Sequence, residues 1–172
     1  MSKQLAFRLY FPTYHPKAGQ QTYFVEKLFR GFPDYVESPF VTSDRLVPKH
    51  QYPGIGSVID IWELERVKPK FQKIAPGLKW SVGDKFTPYV YLGVPYMSGR
   101  ILLGPDVEVV KVWDFNWDPY RNVLQINGKD QYNMSTLLRL AENEGLELRD
   151  FLDWYIEPIE GQIICWNNEI NY

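Results

Sequence analysis

The sequence has very few residues of the kinds that bind transition metals or cross-link chains. It contains one cysteine, Cys165, and two histidines, His15 and His50, among 172 residues. A single cysteine excludes an intrachain disulfide, and these three side chains are too few for a zinc site of ordinary composition. We therefore expect a chain that holds no metal and no cofactor and folds in a reducing compartment.

Long hydrophobic runs are also missing. The longest nearly apolar stretch, Val90 to Met97, is interrupted by Gly93 and Pro95 and is far shorter than the roughly 20 residues of a membrane-spanning helix. The first eight residues alternate polar and apolar side chains, whereas a signal peptide has an apolar core. We predict a cytoplasmic protein without a membrane span.

The net charge is only −2, which excludes a generally basic nucleic-acid binder. The charge is nevertheless unevenly distributed. Residues 1–86 hold 13 basic and 8 acidic residues (net +5), whereas residues 87–172 hold 6 basic and 13 acidic residues (net −7). We therefore expect one basic and one acidic region on the molecule.

Aromatic residues are the most abundant feature, at 16% of the chain. Such a composition favours β-sheets, and the length fits one domain. Apolar periodicity predicts strands at Leu5–Phe11, Val58–Leu64, Lys85–Leu92, Arg100–Leu103, Val107–Phe115, Val123–Ile126, Lys129–Tyr132 and Gln162–Trp166. It predicts helices from Thr22 to Phe32, from Ser135 to about Asn143, and from Glu147 to Tyr155.

Several strands joined by short turns, with helices attached at the ends, imply an α+β domain. We expect a small mixed β-barrel with flanking helices. Asn127-Gly128 predicts a two-residue hairpin turn, and Pro88 predicts an edge position or a bulge for its strand. Residues 33–57 are rich in Pro, Gly and Ser and are expected to be an irregular insertion within the single domain. Residues 65–79 show no clear period and are expected to be a loop.

Conventional catalytic signatures are absent from the sequence. It has no phosphate-binding glycine-rich loop, no nucleophile elbow and no His-Glu-x-x-His motif. Cys165 lies in an apolar strand, where buried inert cysteine is common, and His15 is expected to pack in a loop. The C-terminal acidic residues are expected to form a solvated face rather than a catalytic pair: Glu142, Glu144, Glu147, Asp150 and Asp153.

Composition suggests a ligand in only one segment, between Arg66 and Lys85, which holds six bases and a single acid. Converging bases bind phosphates, and exposed aromatic rings stack on nucleobases. The candidate nucleic-acid-binding residues are Arg66, Lys68, Lys70, Lys73, Lys79 and Trp80. Lys70 and Lys73 are expected to face solvent on the same side of a turn. The alternative is a solvated loop, with Trp80 buried as an anchor against the strand Val107–Phe115.

The same segment resembles a known family. Lys79–Phe86 (KWSVGDKF) is similar to the Arg/Lys-Trp-x-x-Gly-Asp motif of the ASCH domain, a branch of the PUA-like superfamily. The resemblance continues through Ala141–Leu146, Asp150–Tyr155 and Gly161–Trp166, and these segments look like those of a subgroup from gut bacteria and their phages. It spans most of the chain but not residues 33–57.

This resemblance implies a small β-barrel with flanking helices and an RNA-binding cleft. In some members it also implies amidohydrolase action on acylated nucleosides, or nuclease activity. The family signature Gly-x-Lys-x-x-Glu/Thr-x-Arg, aligned on Trp80, reads here Lys68, Lys70, Lys73 and Ala75, so that only Lys70 matches. The loss of the oxygen-bearing side chain weakens the hydrolase hypothesis, whereas the retained positive charge is compatible with binding.

Three functions follow, in order of preference. The first is a non-catalytic RNA- or nucleotide-binding module that uses a basic cleft. The second is a protein-interaction module, such as a phage would encode, whose acidic second half contacts a partner. The third is an amidohydrolase on modified nucleosides.

Overall fold

The structure is a computed structural model that describes residues 2–32, 68–77, 79–91, 97–103 and 106–172. The predicted insertion at 33–57, the strand predicted at Val58–Leu64 and the candidate residue Arg66 all lie outside these ranges. The described strands are β1 (Lys3–Phe7), β2 (Gln72–Pro76), β3 (Lys85–Tyr91), β4 (Arg100–Leu102), β5 (Val107–Glu108), β6 (Lys111–Asp118), β7 (Val123–Ile126), β8 (Lys129–Asp130) and β9 (Ile159–Cys165). The described helices are α1 (Phe24–Gly31), α2 (Met134–Asn143) and α3 (Leu148–Trp154).

The strands form two separate sheets. The first has the order β1-β3-β4, with β5 also paired to β3, and its β1–β3 pair is parallel. The second has the order β2-β9-β6-β7-β8 and is antiparallel throughout. The predicted α+β class is confirmed, but the described strands do not close into a barrel.

The chain crosses from one sheet to the other at Val109 and Val110. The predicted strand from Val107 to Phe115 is therefore wrong, because its first part pairs with β3 and its second part with β9. The amide of Val109 donates to the carbonyl of Asp84 at 2.8 Å, while that of Val110 donates to the carbonyl of Cys165 at 2.8 Å. Apolar residues that suggest one continuous central strand thus belong to two sheets.

Strand β3 is paired on both sides, so the edge position predicted from Pro88 is wrong. Pro88 lies between the pairing with β5, which ends at Phe86, and the pairing with β4, which begins at Tyr89. On its other side Pro88 pairs with Leu5 of β1, and its missing N–H coincides with the end of the pairing with β4. Its carbonyl still accepts a hydrogen bond from the amide of Leu103 at 2.8 Å.

The two faces of the five-stranded sheet carry two separate hydrophobic cores. Helices α2 and α3 cover one face, where Leu140 and Phe151 lie in one buried core with Trp113. The four-stranded sheet covers the other face, where Phe86 and Trp166 are buried. Helix α1 contributes to both cores, with Phe24 in the first and with Val25 and Leu28 in the second. The layers are therefore helices, five-stranded sheet and four-stranded sheet, with α1 closing one side.

The local structure at the hairpin turn and at the start of α2 can be compared with the predictions, and the predicted turn is confirmed. Asn127 and Gly128 have φ angles of 50° and 72° between β7 and β8, as a two-residue hairpin of this type requires. The cap of α2 is Asn133, whose side chain accepts from the amide of Thr136, rather than the predicted Ser135. No described helix is long and apolar enough to cross a membrane.

The loop predicted over residues 65–79 is wrong at its centre, because Gln72–Pro76 forms strand β2 at one edge of the five-stranded sheet. The strand pairs antiparallel with β9 from Gln72 opposite Cys165 to Pro76 opposite Gly161. Two of the inward-facing positions at its start are polar, Lys70 and Gln72. Because these two buried positions are polar, the alternation of apolar and polar residues that would predict a strand is not visible in the sequence.

Candidate functional site

The predicted basic residues do not gather into one surface. Lys68 is exposed and forms an ion pair with Glu147 at 3.1 Å, just before α3. Lys79 is also exposed, and its carbonyl accepts from Lys3 Nζ at 2.8 Å near the start of β3. These two residues therefore lie beside different elements.

Lys70 is fully buried and paired with an acid. Its side chain is 0% exposed and that of Glu144 is 2% exposed, and the two form a salt bridge. Lys70 Nζ also donates to the carbonyl of Glu144 at 2.7 Å, while Glu144 Oε1 accepts from the amide of Ile74 at 2.6 Å. The ring of Phe24 lies 4.4 Å from the same ammonium group. This pair ties the start of β2 to the end of α2.

The burial of this pair corrects two predictions. Lys70 does not face solvent, and Glu144 does not belong to a solvated acidic face. Asp150 is also buried and accepts from Lys17 Nζ at 2.7 Å. A charge removed from water requires a partner, and the fold supplies one for each of these acids. Glu142 and Glu147 do lie at the surface as expected.

Lys70 and Lys73 leave the chain on opposite sides. Lys70 and Ile74 face the core that α2 and α3 cover, whereas Lys73 and Ala75 face the space between the two sheets. The predicted convergence is wrong, because positions i and i+3 share a side on a helical turn but alternate in an extended strand.

Lys73 lies where the edge strands of the two sheets meet. It is half-buried, and its Nζ lies 5.0 Å from the ring centroid of Phe7 in β1. Arg8 follows directly after β1 and is exposed. In the part of the chain that the structure describes, neither cationic group makes a hydrogen bond or an ion pair. We call Phe7, Arg8 and Lys73 the edge site.

The pKa of Lys73 is lowered to about 8, first by burial and then by the positive charges of Lys70 and Arg8. Glu144 is the carboxylate that opposes this effect, but it is already bound to Lys70. Lys27 differs, although burial also lowers its pKa to about 8. Its Nζ donates to the carbonyl of Gly145 at 2.6 Å, and three carboxylates act to raise its pKa. Of these two lysines, Lys73 is therefore the one whose positive charge has no partner among the described residues.

Trp80 is buried, at 3% exposure, as the anchor hypothesis predicts. Its amide donates to Gln162 Oε1 at 2.7 Å, and its ring meets Phe86 edge-on at 6.1 Å between centroids. Lys3 Nζ lies over the ring at 4.7 Å. The indole Nε1 is buried and has no hydrogen-bond partner on the described residues. The ring leaves no open face on which a nucleobase could stack.

The remaining candidate groups have structural roles. Cys165 is buried, and burial raises the pKa of its thiol to about 11, which leaves it unreactive at neutral pH. His15 is buried, and its Nδ1 accepts from the amide of Lys17 at 3.0 Å. The described residues contain no cluster of three or more His, Cys, Asp or Glu side chains that could hold a metal ion.

Two roles are not apparent from the sequence: Arg8 as a candidate ligand-binding residue and Glu144 as the buried counter-ion of Lys70. Arg8 continues the alternation of buried and exposed residues just after β1, which is typical of any surface position. Glu144 closes α2, where an exposed acid is equally common. Lys70, the one residue that matches the family signature, is the sequence feature most closely connected with Glu144. A buried lysine needs a counter-ion, and Glu144 supplies it.

No protein-family model, curated protein or solved structure matches this chain. The resemblance to the ASCH domain therefore stays a prediction that rests on the motifs quoted above.

Proposed function

We propose that this protein is a non-catalytic binding module for a phosphate-bearing ligand, a nucleotide or an RNA, and that the edge site holds the phosphate. One observation carries the proposal: Lys73 and Arg8 are neighbouring cations that lack counter-ions among the described residues.

An anion bound between these groups would relieve their repulsion and replace the water that burial has removed from Lys73. Charge-assisted hydrogen bonds to phosphate are about twice as strong as neutral ones. The half-buried setting of Lys73 also makes its interaction with an anion stronger than it would be in bulk water.

A second candidate, the protein-interaction module, is favoured by an exposed apolar strip on α2. Met134 and Leu138 are 62% and 42% exposed and lie one helical turn apart, and the exposed acid Glu142 follows on the same face. Such a face suits a partner with apolar and basic side chains.

No observation on the described residues favours the hydrolase hypothesis. Lys70, the single residue that matches the family signature, is sealed from solvent and bound to Glu144, so that a substrate would not reach it.

The test is a fluorescence anisotropy titration of a labelled short RNA and of a labelled nucleotide at two salt concentrations. We expect binding that weakens with salt, because phosphate contacts release counter-ions. The variant Lys73→Met keeps an aliphatic side chain on Phe7 and removes the charge. It should weaken binding by about tenfold or more, as the loss of a charge-assisted contact worth about 1.5–3 kcal/mol requires.

The matched control is Lys129→Met. Lys129 is exposed on β8, at the opposite edge of the five-stranded sheet from β2, so its loss should leave the affinity nearly unchanged. Absence of RNA and nucleotide binding at low salt would refute the proposal and would favour the protein-interaction module.

A further inference from the structure

The bases in the described part of the chain do not form a track. A protein that binds along a nucleic-acid strand needs a groove of bases that follows the backbone, and aromatic rings on which successive nucleobases stack. Here Lys68 is paired beside α3, Lys79 lies near the start of β3, and Lys70 is sealed in the interior. The rings of Phe7 and Trp80 are buried, at 2% and 3% exposure, and offer no stacking surface.

At the edge site, two cations that have no counter-ion among the described residues lie next to each other. These are Arg8 and Lys73, and Glu144, the described carboxylate that acts on Lys73, is already held by Lys70 and by the amide of Ile74. Two neighbouring unpaired cations match an anion with two negative charges better than an anion with one.

Phosphate groups differ in this respect. An internal phosphodiester carries one negative charge, whereas a phosphate monoester carries about 1.5 to 2 at pH 7 and has three free oxygens. We propose that the edge site recognises a terminal phosphate monoester, at the end of an RNA or on a mononucleotide, in preference to an internal phosphodiester. This inference rests on the proposed function and narrows its ligand class.

The electrostatic state of Lys73 supports the same inference. Burial and two neighbouring positive charges lower the pKa of Lys73 to about 8. A second negative charge on the ligand therefore stabilises the ammonium form of Lys73 more than a single charge does. Arg8 supplies the second partner for the ligand.

The experiment compares one RNA hexamer in three forms: with a 5′-phosphate, with a 3′-phosphate, and with hydroxyl groups at both ends. Each is labelled through an internal base and titrated at pH 7.5, with inorganic phosphate as a competitor. We expect at least one phosphorylated form to bind about tenfold tighter than the hydroxyl form. We also expect a shallow salt dependence, with a slope of roughly one to two, because few phosphates are contacted.

Two further readouts make the experiment specific. Lys73→Met should remove the preference for the phosphorylated end, whereas Lys129→Met should keep it. Lowering the pH below about 6, where a phosphate monoester gains a proton, should also reduce the preference. Equal binding of all three forms would overturn the terminal-phosphate inference while leaving the proposed function intact. No binding of any form, together with no binding of the labelled nucleotide, would refute the proposed function itself.

Discussion

At the scale of single residues, the buried pair of Lys70 and Glu144 shows which charges stabilise the fold and are not accessible to a ligand. The pair satisfies its charges internally, through the salt bridge, the Glu144 carbonyl and the Ile74 amide. Lys73, three residues later, is left without such partners in the described ranges. Two lysines that look equivalent in the sequence therefore have different roles.

Glu144→Gln tests the structural role of the pair. The substitution keeps the size and the acceptor for the Ile74 amide but leaves the Lys70 ammonium buried without a counter-ion. Breaking a buried pair in this way costs about 3–5 kcal/mol, and urea denaturation should show a loss of that size in the free energy of unfolding.

The double variant Lys70→Met/Glu144→Gln supplies the control. Removing both charges removes the uncompensated ion, so the double variant should be more stable than Glu144→Gln alone. A double variant that is less stable than the single one would show that the charges are not coupled.

Trp80→Ala tests the burial of the indole between the sheets. Truncating a large buried aromatic residue costs about 3–5 kcal/mol. Trp80→Phe should cost less than half as much, because Nε1 donates to no acceptor and a ring still fills most of the space. Thermal unfolding of both variants provides the measurement, and an unchanged midpoint in Trp80→Ala would contradict burial.

At the scale of elements, the sequence predicts best where one local rule decides the structure. The Asn127-Gly128 turn needs two positive φ angles, and few other residue pairs supply them. The C-terminal helices and β9 also follow their apolar periods closely. These features depend on neighbours in the sequence and not on distant contacts.

The failed predictions involve contacts between distant segments. The apolar period of strand β2 is interrupted by Lys70, which can be buried only because Glu144 neutralises it. Glu144 lies 74 residues away along the chain, so the local sequence does not predict the burial. The division of Val107–Phe115 depends on which strands its two parts pair with. The edge site brings Arg8, which follows β1, close to Lys73 in β2. No spacing within the sequence indicates that these two residues are neighbours.

Gly31→Ala tests the approach of α1 to the segment that leads into β2. A Cβ added at Gly31 would lie 1.9 Å from the carbonyl oxygen of Lys70, a backbone atom that a change of side-chain rotamer cannot move away. Helix propensity alone predicts that alanine would stabilise a helical position by about 1 kcal/mol. We expect the opposite sign, a loss in the free energy of unfolding, measured by urea denaturation. A gain in stability would contradict the close approach of the two segments.

At the scale of the whole molecule, three layers position the edge site. The five-stranded sheet lies between the helices and the four-stranded sheet, and each sheet ends in one of the two edge strands, β1 or β2. Where these edges meet, a side chain can be partly withdrawn from water and still be reached by a ligand. The basic first half of the sequence supplies both cations of the site, while most of the acids lie in the second half.

The most direct test of this account is the pKa of Lys73 itself. Lysine-selective ¹³C NMR of the side-chain methylene next to Nζ reports its protonation, and Lys73→Met assigns the signal. Without ligand, the account predicts a midpoint near pH 8, and a saturating phosphorylated ligand should move it towards the ordinary value of about 10.4. A midpoint that the ligand leaves unchanged would contradict the central claim that the edge site binds phosphate.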